Sequence, residues 1–534
     1  MTEVIPFDST NYDSLVSLYN ANTHNQWGDW LRFNETFEKP GKQGLVGTLK
    51  TKETGEKCVF KISQYINDLI QHERLIMDGL NQLSPFCPHF VRSLGIVQTT
   101  VDPKNRKSGN PFDISTKYPI KKDALLCEYL NNSCKFYNYI RSQKVDEDVL
   151  YSTVKQVLMA IEIAQRKKKF THYDLHSFNI MMKKCDKDLV FLYVLDEDNQ
   201  FCVPTNGCYP VIIDFGFSYI EDMEDQPMWT TLAHTDVGFM SDRFDWVADP
   251  KLFLVSVAHE IKDKRQTKTS KKFGRIVKNM FYPLEIDWEC GWDDVDDSGA
   301  ADYVTDMLEN LNIRSTLFDK FPHYCIDILQ SLIILPLQKQ NYTNMDKAYK
   351  AFLTEWQKIE DQISSQFYNL QVLKGVVDAA RHVRPGFLRK SSRETAVVDF
   401  QRLVYEKLNE VSSFCMPKNL SFDKLLCSML VLATNIEGVL FDVMKVRMSE
   451  KQKQYDELPL QSVVQMYAAI TTNIPDKYVW NKNTKVCVLD CVNGTKKMID
   501  SIPDDVISEI NDTHPLCIGS DIYNLYNKDH DAKL

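Results

Sequence analysis

The sequence predicts an α+β fold: a strand-rich part, then a larger helical part, then a mainly helical C-terminal segment. Three observations predict it. Residues 44–65 read as two strands, GLVGTLKT and CVFKI, joined by a Glu53-Thr54-Gly55 turn. Residues 146–166 place Val149, Leu150, Val154, Val157, Leu158 and Ile161 on one side of a helix. Beyond Asp249 the apolar spacing is mostly helical.

Taken in order, a helix follows the first two strands over 65–82, with Ile66, Leu69, Ile70 and Ile76 at helical spacing. ALLCEYL at 124–130 has the continuous apolar pattern of a buried strand. Three further strand-like runs come after the 146–166 helix: Asn179–Met182, Leu189–Leu195 and Tyr209–Ile213. DEDNQFCVPTNGC (196–208) between the last two reads as an enlarged hairpin. The basic, polar stretch Arg381–Arg393, with Pro385 and Gly386 inside it, marks a boundary in or somewhat before it. The chain ends in a hairpin, KVCVLDCVNGTKKMI, turning at Asn493-Gly494.

At 534 residues the chain is too long for one hydrophobic core, so two or three domains are expected. Its 43% apolar and 25% charged composition is that of a globular protein. The net charge of -10 argues against nucleic acid as the main partner. The N-terminus has neither the basic start nor the apolar run of a secretory signal. The most apolar stretch, Leu425–Met444, contains Asn435, Glu437 and Asp442, groups too costly for hydrocarbon, so no membrane span is expected. Fourteen scattered cysteines without a secretion signal read as reduced thiols in the cytoplasm. Neither Cys487/Cys491 nor Cys202/Cys208 has zinc-site spacing.

The strongest chemical signal is His172-Tyr173-Asp174-Leu175-His176-Ser177-Phe178-Asn179, between a long helix and a strand. Thirty-five residues beyond Asn179, directly after the apolar strand PVII, stands Asp214-Phe215-Gly216. Two carboxylates and an amide on strand-flanking loops suit phosphoryl transfer. One carboxylate orients the attacking hydroxyl, while the other and the amide hold magnesium against nucleotide phosphates. Upstream, Gly41-Lys42-Gln43-Gly44-Leu45-Val46 can cover phosphates with its backbone. Lys61 closes the next strand and Glu73, on the following helix, is placed to pair with it. Alone, each of these residues would be an ordinary turn or surface side chain. Their order and spacing together carry the reading.

From about residue 38 to about 260 these pieces resemble the eukaryotic-type protein kinase superfamily. The resemblance implies that Lys61 in VFK is the strand lysine, Glu73 its helix partner and Asp174 the catalytic-loop aspartate. Asn179 and Asp214 are the implied Mg2+ ligands. The implied ATP-binding residues are Gly41, Gly44, Val46, Lys61 and the hinge Cys127, Glu128 and Tyr129. A bilobal kinase-like fold follows: an N-terminal extension over 1–37, a smaller lobe over 38–130, a larger lobe over 131–360, and a mainly helical C-terminal domain over 361–534. In style, GKQGLVG, THYDLHSFNI and YPVIIDFGFSY are similar to kinase-like proteins of large cytoplasmic DNA viruses, which implies host cytoplasm or virion as the location.

The departures from the family fall mostly on the acceptor side. Lys39 stands where the first loop glycine belongs, Tyr173 replaces the arginine before Asp174, and His176 replaces the lysine two residues after it. About twenty extra residues separate Asn179 from Asp214, and no A-P-E follows. Asp249 is a candidate anchor for the next helix. The implied function is transfer of the ATP γ-phosphoryl group to a Ser or Thr hydroxyl of a protein. Two alternatives stay open: a small-molecule kinase of the aminoglycoside or choline type, suggested by HxDxHxxN, and a pseudokinase scaffold or virion protein. The basic run 262–278, eight lysines and arginines against one aspartate, reads as a solvated loop or a docking segment for an acidic partner or nucleic acid.

Overall fold

Two short helices, α1 (Tyr12–Ala21) and α2 (Trp27–Trp30), lead into an antiparallel sheet of five strands. Its members are β1 (Leu31–Thr36), β2 (Gly44–Thr51), β3 (Lys57–Ser63), β4 (Ser93–Val101) and β5 (Ile120–Glu128), in the order β1-β2-β3-β5-β4. The computed structural model describes residues 11–37, 44–63, 67–101, 120–142, 144–223, 244–265, 267–283 and 456–531. The β2–β3 turn forms where the sequence places it. Gly55 sits at φ +74°, open to a residue without a Cβ, and the Thr51 hydroxyl accepts from the Glu56 amide at 3.0 Å. Helix α3 (Asn67–Asn81) packs Ile70, Ile76, Met77 and Leu80 into the core.

The core is organised around α5 (Glu147–Lys168), which follows β6 (Ser133–Lys135) and α4 (Phe136–Ile140). Its ends obey local rules: Asp146 caps the Asp148 amide at 2.8 Å, acids fill the first turn, and Arg166, Lys167 and Lys168 the last. Every residue from Val149 to Gln165 is buried, so this helix is enclosed on all sides. After it come β7 (Ile180–Lys184), β8 (Leu189–Val194), β9 (Gln200–Pro204) and β10 (Cys208–Ile212), then α6 (Ala248–Arg265) and α7 (Lys268–Met280). The strands β10, β7 and β6 make a second antiparallel sheet in that order.

The C-terminal residues differ most from expectation. They form α8 (Val463–Asn473), β11 (Lys485–Asp490), β12 (Thr495–Ile499), α9 (Asp504–Asp512) and α10 (Ile518–Asp531). The Asn493-Gly494 hairpin is present, but β11 runs parallel to β8, giving a four-stranded sheet β12-β11-β8-β9. Residues 456–531 therefore do not form the separate C-terminal domain expected from 361. Leu458, Val463, Met466, Tyr467 and Ile470 share one core with α5. Fully buried Lys155 on α5 donates to the Ile474 carbonyl at 2.9 Å and to Asp476 at 2.8 Å. The 361 boundary itself, the Arg381–Arg393 stretch and Leu425–Met444 lie outside the described residues.

Two other expectations change. The basic run 262–278 is not a loop: it spans the end of α6 and most of α7, which buries Phe273, Ile276, Val277 and Met280 and exposes Lys268, Lys271, Lys272, Arg275 and Lys278. Strands β1 and β4 carry no clear strand pattern in the sequence, because LRFNET is polar and SLGIVQTTV is interrupted by Gly95, the site of a bulge. Among the described residues, no helix is long and apolar enough to cross a membrane.

Lys155→Met leaves a buried carbonyl and the Asp476 carboxylate without their donor. It should cost about 2–4 kcal/mol in urea unfolding; unchanged stability would show that the C-terminal segment is held without this contact. A second test concerns acid. His89 lies between the Pro210 carbonyl (2.9 Å from Nδ1) and the Tyr193 hydroxyl (2.8 Å from Nε2), and burial pushes its pKa down to about 4. Buried His72 is pushed down to about 4 as well. Unfolded histidine binds a proton near pH ~6.5 while the native rings refuse it. Stability should therefore fall as pH drops from about 6.5 toward 4, by about 3 kcal/mol per ring. Unfolding measured across this range should show a shallower slope for His89→Gln; an identical slope would contradict the assignment.

Candidate functional site

Lys61 lies on β3, paired across the sheet with Val46 on one side and Leu125 on the other. Its ammonium donates to Glu73 at 3.0 Å and to Asp214 at 2.6 Å. Glu73 comes from α3 and is buried; its Oε1 also accepts from the Phe215 amide at 3.2 Å. Asp214 follows β10 in the left-handed region, φ +68°, which an aspartate tolerates better than most residues. That turn brings its carboxylate to Lys61 while Phe215 is driven into the core against Phe90, Phe170 and His172.

The charges shape one another. Burial works against the Lys61 ammonium, but Asp214 and Glu73 outweigh it and hold its pKa above the ordinary value. Burial also opposes the Asp214 carboxylate, and Lys61 overcomes it, so Asp214 lies below the usual carboxylate range. Glu73 goes the other way: burial dominates over Lys61 and raises it.

The second group of candidates sits on the loop 172–179. Buried Asp249, in the first turn of α6, accepts from the His172 amide at 2.7 Å and the Tyr173 amide at 2.9 Å. Tyr173 is fully buried at φ +63°. His172 accepts the Asp174 amide at Nδ1 (3.3 Å), so the proton resides on Nε2, which donates to the Ile213 carbonyl at 3.0 Å. Burial lowers its pKa, keeping the ring neutral. Asn179 donates from Nδ2 to both the backbone carbonyl (2.9 Å) and Oδ2 (3.0 Å) of Asp174. The Ile213 amide donates to the Asn179 carbonyl at 3.0 Å, tying this loop to the strand end that bears Asp214.

His176 accepts the Phe178 amide at Nδ1 (3.2 Å), which leaves Nε2–H facing Asp174 Oδ1 at 3.4 Å. It orders the loop from within.

The remaining candidates divide. Val46 is half-buried beside Lys61, and Gly44 opens β2 opposite Ser63; Gly41 lies outside the described residues. Cys127 is buried with its thiol on Met77, and burial pushes the thiol well above its ordinary pKa. Glu128, at the end of β5, turns its carboxylate into a forked pair with Arg92, Nε–Oε1 3.0 Å and Nη2–Oε2 2.8 Å. Only its backbone can then face a ligand. Lys57 lies over the Tyr129 ring, 5.1 Å from its centroid.

Two contributors escaped the sequence reading. Arg92 belongs to no motif. Lys135, open to solvent at the end of β6, has its pKa lowered by desolvation while Asp214 pushes it back up, so the two charges are close enough to interact; nothing local in SCKF signals that.

The donor set fits a hard cation. Asn179 is anchored through its amide nitrogen, which leaves its oxygen available to a cation. Asp214 uses Oδ1 on Lys61 and has a side chain 40% exposed. Among the described residues there is no group of three or more His, Cys, Asp or Glu side chains able to hold a metal. Two oxygen ligands supplemented by phosphate and water suit Mg2+, which keeps part of its hydration shell.

No family model matches the chain. It is 28% identical over 507 residues to Uncharacterized protein 098R of Invertebrate iridescent virus 6, covering 84% of this chain and 83% of that one. Uncharacterized protein 038R of Invertebrate iridescent virus 3 is 27% identical over 481 residues, 85% of each. Probable kinase 098L of the same virus is 25% identical over 219 residues, 40% of this chain and 37% of that protein. These relatives are all viral proteins.

Asp249→Ala would strand two buried amides. It should destabilise the protein by about 2–5 kcal/mol and speed hydrogen exchange at His172 and Tyr173. Unchanged exchange at those two amides would mean that the loop is held by something else.

Proposed function

We propose that the chain is an ATP-dependent phosphotransferase with a bilobal, protein-kinase-like fold, its smaller lobe over 38–130 and its larger lobe beginning at 131. The observation that carries this reading is the meeting of Lys61, Glu73 and Asp214 from three separate elements, bound through Ile213 to the loop that holds Asp174 and Asn179. The partial similarity to a protein named as a probable kinase supports it.

In this reading Lys61, steadied by Glu73, holds the α- and β-phosphates. Asp174 accepts the proton of the attacking hydroxyl, and its carboxylate is oriented by Asn179 and His176. Asn179 and Asp214 hold Mg2+, which when bound offsets phosphate charge. The backbone of Cys127, Glu128 and Tyr129 meets the adenine, and Gly41, Gly44 and Val46 cover the phosphates. The acceptor is a Ser or Thr hydroxyl of a protein, in host cytoplasm or virion. The exposed basic face of α7 favours acidic acceptors over nucleic acid, given the net charge of -10.

Transfer of label from γ-labelled ATP with Mg2+ to a casein-type protein mixture tests this, with amino sugars and choline as competing acceptors. Asp174→Asn should lower kcat by about a hundredfold or more while ATP still binds. Equal activity in the two proteins would overturn the mechanism. Transfer to an amino sugar or choline alone would reassign the acceptor, and ATP binding without transfer to anything would make the chain a nucleotide-binding scaffold.

A further inference from the structure

Helix α1 precedes every residue discussed above, yet one of its side chains reaches two walls of the candidate nucleotide site. Arg92 Cζ lies over the Tyr12 ring, 4.0 Å from its centroid. Arg92 in turn grips Glu128 at the end of β5 by three hydrogen bonds: Nε to Oε1 at 3.0 Å, Nη2 to Oε2 at 2.8 Å and the backbone amide to Oε1 at 2.9 Å. The Glu128 amide returns a bond to the Arg92 carbonyl at 3.0 Å. The Tyr12 hydroxyl donates to the Ser93 carbonyl at 2.7 Å and accepts from Asn81 at 3.4 Å. Asn81 is the last residue of α3, the helix that carries Glu73. Ser93 closes the ring of contacts by donating to Asp78, also on α3, at 2.8 Å.

We propose that Tyr12 is a positioning residue that fixes the β5 end and the α3 end relative to each other and thereby sets nucleotide affinity. This rests on the reading of the site given above. A guanidinium loses orientational freedom when an aromatic face covers one side of its plane, and a forked carboxylate pair requires that orientation. With the ring removed, the Arg92 guanidinium loses the aromatic face that orients it, and the fork that tethers the 127–129 backbone through Glu128 is held less firmly. The same hydroxyl restrains α3 two turns beyond Glu73, hence the setting of Lys61. Burial pushes the Tyr12 hydroxyl up to about 12, so it remains a donor at every working pH.

Tyr19 supplies the control, because it docks the same helix without touching this network. Its hydroxyl donates to the Ile96 carbonyl at 3.0 Å and accepts the Ile96 amide at 3.1 Å, and its ring fills the space beside Gly95. If α1 merely stabilised the fold, Tyr12 and Tyr19 variants that lower Tm equally would affect nucleotide equally.

The test is calorimetric titration of Mg·ATP into the full chain and its Tyr12→Leu, Tyr12→Phe and Tyr19→Phe variants, with hydrogen exchange on the nucleotide-free proteins. Tyr12→Leu should raise Kd about tenfold and speed exchange of the Glu128 amide, with kcat at saturation within about twofold. Tyr12→Phe should keep most of the affinity, and Tyr19→Phe should leave Kd and Glu128 exchange unchanged whatever it does to Tm. Wild type that binds no Mg·ATP overturns the functional reading, and the claim about affinity with it. Wild type that binds while Tyr12→Leu matches it in Kd or in Glu128 exchange overturns this inference alone, as do equal losses in the Tyr12→Leu and Tyr19→Phe proteins.

Discussion

The Lys61 ammonium touches two carboxylates, one twelve residues away and one 153 residues away. Lys61 and Glu73 are largely withdrawn from water, Asp214 only in part, and a buried charge without a partner costs several kcal/mol. Two carboxylates sharing one ammonium leave an excess negative charge, which the surroundings divide unequally. The Phe215 amide donates to Glu73, yet burial still raises that acid, while Asp214 is held ionised by Lys61. The position of α3 against the first sheet, and of the chain after β10, is thereby fixed by the same cation.

That contact has geometric consequences. For Asp214 to reach Lys61, the backbone must adopt a left-handed turn, and the Phe215 side chain must go inward rather than outward. Inside, it meets His172, whose neutral ring bridges the Asp174 amide and the Ile213 carbonyl. The loop with Asp174 and Asn179 is thus set from two sides: by the strand end that leads to Asp214, and by Asp249 below the His172 and Tyr173 amides. Asp249 recognises the backbone of His172 and Tyr173, not their side chains, so this anchoring does not depend on which side chain stands at 173.

What could be read from the sequence follows from the range of the interactions. Lys61, Glu73, Asp174, Asn179 and Asp214 could be picked out because each sits in a short motif beside a clear strand or helix. The turn at Gly55 and the caps of α5 are local as well. Strands β1 and β4 were missed because one is a polar edge and the other is bulged at Gly95, so neither shows the alternation of a half-buried strand. The grip of Arg92 on Glu128 was invisible for a different reason: it joins residues 36 apart that belong to no common motif. The basic run 262–278 reads as a loop by charge count alone, although the apolar residues at 273, 276 and 277, with 280 just beyond it, have helical spacing.

The C-terminal segment extends the same point to topology. A parallel pairing of β8 with β11 demands no tight turn and leaves no local signature, since the two strands are separated by almost three hundred residues. What the sequence does contain is the consequence: all six residues of β8, LVFLYV, are apolar and buried, more than a two-stranded hairpin on a surface could justify. A strand so uniformly apolar needs cover on both faces, and here β8 has the α5 core on one side and the cluster of Trp480, Val486, Ile507, Ile510, Ile522 and Tyr526 on the other. Residues 189–194, between Asn179 and Asp214, are therefore the strand on which the C-terminal part assembles. The loop bearing Asp174 and the residues after 456 are built onto one shared core through that strand.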